Sequence, residues 1–176
     1  MKKIISILLI SIVSIVLVAC DNQEIEASKT PFPEIAGVDM EGNSVTNDIF
    51  ADYDATIVNF WNNGCGTCIE EMPEIEEYYQ EFSQMNINVV GVGTDSGESD
   101  ENYEFAKEIL ARKGVTYMNI APDTEGAFFN EFIHEITSYP TTYVVDSDGN
   151  IIGSPIIGYL IGQDKTLRDR VKLATE

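Results

Sequence analysis

Two rhythms of apolar positions run along the chain. Ala55-Thr56-Ile57-Val58-Asn59-Phe60-Trp61 is a β-branched and aromatic run bounded by Asp52 and Asp54, and Asn86 to Gly93 has the same character; both predict buried strands. Ile69, Met72, Ile75, Tyr79 and Phe82 instead recur at helical spacing, with glutamates filling the other face. Tyr103, Ala106, Ile109 and Leu110 predict a second helix between Ser99 and Gly114, with the glycine as its stop. Val115 to Ile120 reads as a short strand. Phe129, Phe132, Ile133 and Ile136 follow at helical spacing as core positions, and Leu167, Val171 and Ala174 mark a closing helix. Ser138 to Ile152 reads as strand, Asp148-Gly149 turn, strand, with Pro140 at the opening of the first strand, where a missing N–H is tolerated. This order predicts an α/β domain with a central mixed sheet flanked by helices.

The N-terminus obeys neither rhythm. Lys2 and Lys3 precede an apolar run from Ile4 to Val18 broken only by Ser6, Ser11 and Ser14, the layout of an export signal. As a helix this run reaches only about 22 Å, short of a hydrocarbon core of ~30 Å, although an uncleaved anchor that absorbs the mismatch is the other reading. Leu17-Val18-Ala19-Cys20 resembles the bacterial lipobox, in which the cysteine is lipidated and becomes the first residue. Residues 1–19 are therefore expected to be a signal peptide. Residues 20–30 are expected to be a lipidated Cys20 and a polar, acidic tether, and residues 31–176 the domain. The expected location is therefore the extracytoplasmic face of the cell membrane, with the protein held by its lipid.

Composition narrows the partners. Ten Lys and Arg stand against 30 Asp and Glu, a formal charge of −20, and removal of Lys2 and Lys3 with the signal would lower it further. Nucleic acid and anionic membrane surfaces need a basic face, which this chain lacks. Three Cys and one His are too few for a disulfide-stapled mini-protein or an all-protein zinc cluster.

With Cys20 assigned to lipid, Cys65 and Cys68 carry the chemistry. They sit in Asn62-Asn63-Gly64-Cys65-Gly66-Thr67-Cys68, where the predicted strand turns into the predicted helix. A helix N-terminus has free N–H groups and roughly half a positive charge, both of which favour a thiolate. Two intervening residues bring the second sulfur within reach of the first, so the pair can open and close reversibly. Cys65, at the exposed start, is the expected attacking thiolate, and Cys68 the resolving thiol. Such exchange needs no cofactor. A static disulfide would close a loop too small to gain much entropy, and a zinc half-site would have only His134 to complete it. A copper metallochaperone using Cys65, Cys68 and His134 is the alternative from another class.

The cysteine pair followed by the Pro140 hairpin resembles the thioredoxin superfamily, and within it the membrane-attached TlpA/ResA-like thiol–disulfide oxidoreductases in their lipoprotein form. The resemblance covers about Pro31 to Leu173. It implies a thioredoxin-like fold with an added N-terminal β-hairpin (Pro31 to Val45) and a helical insertion (Ser99 to Gly114). It further implies a cis peptide before Pro140, and a Tyr139 backbone that pairs with a substrate strand. Trp61 and Gly64 would lie beside them, with Gly64 where many relatives carry Trp. Asn59 stands where cytosolic thioredoxins carry a buried Asp, and Pro73 where the family kinks its active-site helix. Glu71 matches a glutamate thought to help proton transfer, although the residues alone read equally as a solvated acid beside Glu70, Glu74, Glu76 and Glu77. A thiol peroxidase fits less well: Thr67 directly precedes Cys68, and no Arg lies between Lys29 and Lys107.

The direction of electron flow is also foreshadowed. Gly66-Thr67 provides no cation for a thiolate, and five glutamates follow within twelve residues of Cys65. Like charge raises a thiol pKa, which favours the disulfide and makes the dithiol the better donor. The expected activity is reduction of disulfides in exported proteins, and the family resemblance implies a membrane thiol-relay donor that recharges it. Cytochrome c maturation or electron supply to a repair (antioxidant) enzyme are the family roles this implies.

Overall fold

A computed structural model describes residues 29–176. The expected signal peptide, Cys20 and the tether up to residue 28 lie outside the described residues. Lys29 and Thr30, placed on the tether by sequence, belong instead to the sheet: β1 (Lys29–Pro31) pairs antiparallel with β8 (Asn150–Ile152). The reason is partly electrostatic, since Lys29 Nζ lies 3.0 Å from the carboxylate of Asp146, whose side chain is almost wholly buried.

The remaining elements follow in order: β2 (Gly37–Asp39), β3 (Ser44–Val45), α1 (Asp48–Ala51), β4 (Ala55–Trp61), α2 (Gly66–Phe82), β5 (Ile87–Gly93), α3 (Asp100–Lys113), β6 (Met118–Pro122), β7 (Thr141–Asp146), β9 (Ile156–Ile157) and α4 (Asp164–Ala174). The sheet runs β1-β8-β7-β4-β5-β6-β2-β3, with β9 pairing β7. β4, β5 and β6 are parallel neighbours, while β7 runs antiparallel to β4, so the sheet is mixed. This is the thioredoxin-like architecture, with the expected hairpin formed by β2 and β3 and α3 as the insertion.

β4 and β5 are buried along their whole length, which explains apolar runs without polar alternation. On one face Ala55, Ile57 and Val89 pack under Ile75 and Phe82 of α2 and Leu167 and Val171 of α4. On the other, Val58, Phe60 and Val92 meet Phe32, Phe50 and Phe128. Pro73 sits inside α2, which continues through it.

Two expected elements shift. The strand expected at Val115–Ile120 begins at Met118. Gly114 closes α3 in a left-handed conformation (φ 70°), Val115 N–H returns to Leu110 O at 3.0 Å, and the chain needs until Met118 to reach the sheet. The helix expected around Phe129–Ile136 is a π-helical turn (Phe128–Phe132) followed by a 3-10 turn (Ile133–Glu135), with Phe128 and Ile133 as its buried anchors.

Candidate active site

β4 ends at the buried Trp61, and α2 starts five residues later. Between them Cys65 N–H bonds Asn62 O at 3.1 Å, closing a turn that presents Cys65 as the N-cap of α2. Its Sγ accepts the Cys68 N–H at 3.2 Å and lies 3.4 Å from Thr67 Oγ1. The two sulfurs are bonded, with an S–S distance of 2.03 Å. They differ in access: Cys65 is half-buried, whereas Cys68 is 1% exposed and packs with Trp61, Met72 and α3. An incoming sulfur can therefore reach Cys65 and not Cys68. Gly64 and Gly66 are exposed, and a Cβ added at Gly66 would touch nothing within 4 Å, so the rim around Cys65 is open.

The hairpin comes to the same place. The Tyr139–Pro140 peptide is cis, Pro140 is buried, and its carbonyl accepts Gly158 N–H at 2.8 Å. Half-buried Tyr139 packs against the cluster holding Cys65, Cys68 and Trp61. Cys65 and Tyr139 thus pack against one cluster, with Gly64 exposed next to the first and Pro140 buried next to the second. Trp61 does not belong with them as a contact residue. It is 1% exposed, and its indole N–H donates to Asn119 Oδ1 at 2.9 Å, so it forms the floor beneath Cys68. Asn119, 58 positions away and unmarked by any sequence motif, was missed. Gly91 makes room for it: a Cβ there would lie 2.0 Å from Asn119 Oδ1.

Glu71 is no solvated acid. It is 1% exposed, on the face of α2 turned to the sheet. One carboxylate oxygen accepts Leu160 N–H at 2.9 Å, and the other has no hydrogen-bond partner. Burial pushes its pKa up to about 7. Leu160 N–H and the nearby Asn59 amide pull it partly back, and the charge of Glu74 adds to the rise. One Asn59 amide N–H donates to Thr142 Oγ1 at 3.0 Å, which holds the amide close to Glu71. The other acids of α2 stay nearer water. Glu70 and Glu77 are exposed, and Glu76 is held by the Thr116 N–H at 2.7 Å and by the Thr116 hydroxyl. Among the described residues no ion pair involves positions 62–77, so no cation offsets these charges near the sulfurs.

His134 is exposed in the 3-10 turn, with its ring 4.9 Å from that of Phe129. Among the described residues no three His, Cys, Asp or Glu side chains gather as metal ligands, so His134 does not complete a set with the two cysteines.

The sequence profile of the Redoxin family matches residues 27–156. Thiol-disulfide oxidoreductase YkuV of Bacillus subtilis is 30% identical over 124 residues, covering 70% of this chain and 81% of that protein. Thiol-disulfide oxidoreductase ResA of Bacillus anthracis is 23% identical over 139 residues, covering 78% of this chain and 73% of that one. Among solved structures, the thioredoxin domain of a Bacteroides vulgatus thiol-disulfide oxidoreductase superposes with a TM-score of 0.65 at 24% identity, over 81% of this chain and 96% of its own, a likeness of fold.

Proposed function

This chain belongs to the Redoxin family and is a thiol–disulfide oxidoreductase, and from that premise we propose that it reduces disulfides of exported proteins outside the cytoplasm. The observation that carries the reading is the asymmetry of the pair, an accessible Cys65 at a helix N-cap bonded to a shielded Cys68.

In the reduced enzyme the Cys65 thiolate attacks one sulfur of a client disulfide. A Cys65–client bond forms, the client S–S bond breaks, and the first client sulfur leaves as a thiolate that takes up a proton. Cys68 then loses its proton and attacks Cys65 Sγ. The Cys65–Cys68 bond forms and the second client thiol is released. Two electrons have passed from the dithiol to the client, leaving the disulfide form described above. Glu71, with a pKa near 7 and one unpartnered oxygen, is suited to take the Cys68 proton at neutral pH. The donor direction is supported by the lack of a nearby cation and by the acids of α2, since an unstabilised thiolate favours the disulfide. A membrane thiol-relay protein would return the two electrons by the same exchange, and the Leu17-Val18-Ala19-Cys20 motif supports a lipid anchor beside it. Cytochrome c maturation and electron supply to a repair enzyme are the roles that fit such a reductase.

The test is a trap. Full-length protein carrying Cys68→Ser should accumulate mixed disulfides with exported proteins in cells, and Cys65→Ser added to it should abolish them. Absence of adducts would refute the exchange mechanism. A redox titration giving a potential of about −120 mV would reverse the direction.

A further inference from the structure

A cleft of about 280 Å³ opens beside the turn that carries Cys65. Asn62, whose carbonyl holds the Cys65 N–H, lines one end, and Tyr139, which packs toward Cys65, lines another part. A polypeptide disulfide-bonded to Cys65 and paired along Tyr139 has this cleft as its continuation.

The two sides of the cleft differ in chemistry. One is mainly apolar, formed by Phe129, Ile133, Ile136 and Tyr139, with the exposed His134 among them. It is built on the π-helical turn, a distortion that often marks functional segments. The other side carries Asp95 and Glu98 from the loop after β5. Both Asp95 oxygens accept the Asn63 N–H, at 3.0 and 3.1 Å, which fixes that carboxylate next to the cysteine turn. Glu98 is exposed and accepts only a 3.3 Å bond from the Asn102 amide. No Lys or Arg lines the cleft, and among the described residues neither acid joins an ion pair. Two carboxylates that no Lys or Arg pairs face a mainly apolar wall that includes His134.

We propose that this cleft is a client subsite that takes an extended peptide segment flanking the target cysteine, with an apolar side chain against Ile133, Ile136 and Tyr139 and a Lys or Arg against Asp95 and Glu98. The proposal rests on the oxidoreductase reading and gives that reaction its substrate class: disulfides with basic and apolar neighbours. The selection is by contact. The net charge of −20 would attract cationic clients from any direction, whereas a contact with Glu98 acts most strongly on a side chain lying in the cleft.

The experiment uses the reduced full-length protein and short peptides whose single cysteine is blocked as a mixed disulfide. The peptides carry Lys or Glu two residues before or after that cysteine, next to a Leu. A ratio of second-order rate constants, for single reduction of the Lys over the Glu peptide by the dithiol, of about tenfold at low salt is expected, because each exposed charge contact contributes a few-fold and the Glu peptide is repelled. Glu98→Gln should cut that ratio to about threefold. Asp52→Asn removes the same charge at the opposite end of β4 and should leave the ratio as it is. Equal ratios for wild type and Glu98→Gln, or equal losses in Glu98→Gln and Asp52→Asn, would overturn the subsite in favour of general steering. A small neutral disulfide such as 2-hydroxyethyl disulfide separates the two levels. If wild type reduces it while showing no peptide preference, the subsite alone fails. If wild type cannot reduce it, the oxidoreductase reading fails, and the subsite with it.

Discussion

Glu71→Gln keeps the shape of a buried side chain while removing its ionisation, and the structure sets both the sign and the size of the effect. In the folded protein Glu71 has a pKa of about 7, against 4.5 when solvated, because burial penalises the carboxylate. The folded state thus holds a proton that the unfolded state has released whenever the pH lies between those values. Stability falls as pH rises across that window, and is constant below and above it with respect to this group. At roughly 1.4 kcal/mol per tenfold in acidity, the full loss is about 3 kcal/mol. Gln has no such proton, so the variant should match wild type near pH 4, apart from a fixed offset, and gain on it progressively to about 2–3 kcal/mol above pH 8. The assay is urea unfolding of both proteins with the disulfide intact, at intervals from pH 4 to 8.5. The difference between the two curves cancels the other acids that titrate, among them Asp39, Glu76 and Asp146. A difference independent of pH would refute the claim that Glu71 is held protonated by burial. The same variant should slow turnover at neutral pH if Glu71 accepts the Cys68 proton, and that loss would be invisible to the stability assay.

Other perturbations test the rest of the site. Asn119→Leu leaves the buried Trp61 N–H without an acceptor and should cost about 1–3 kcal/mol in unfolding free energy. Gly91→Ala should also destabilise, and the double variant with Asn119→Ala should lose less than the two single variants together, because the clash with Asn119 is gone. Asp146→Asn removes the charge that Lys29 pairs with. Burial raises the Asp146 pKa, but the Asn150 backbone N–H and Lys29 outweigh it, so the carboxyl lies below its usual value. The deficit of the variant should therefore be full at pH 7 and shrink only as pH falls below about 4, in the same unfolding assay extended to lower pH. Gly64→Ala meets only Asn62 Oδ1 at 3.6 Å and should raise stability by about 0.4–1 kcal/mol, read by thermal unfolding.

The place of the sulfur pair was legible from sequence, and for a local reason. A β-branched run followed directly by a 3.6-residue period can hardly avoid putting Cys65 at a helix N-terminus, whatever the rest of the chain does. The strands β4 and β5, the helix ending at Gly114 and the Asp148-Gly149 turn were readable on the same ground, because period and turn chemistry are properties of neighbours in sequence. What the residues left undecided was decided by groups brought together from afar. Glu71 looked like one of five acids on a helix, and it became the exceptional one because Leu160 and Asn59 come from other elements to enclose it. Trp61 looked like part of the reactive surface, and Asn119 and α3 turned it into the floor. Lys29 and Thr30 read as tether because three residues carry no periodicity, yet the open edge of β8 and the buried Asp146 draw them into the sheet. Sequence alone could thus locate the nucleophile, whose setting is one strand and one helix. Desolvation and pairing are sums over all surrounding atoms, so the protonation of Glu71 and the lining of the cleft existed only once the chain had closed around them.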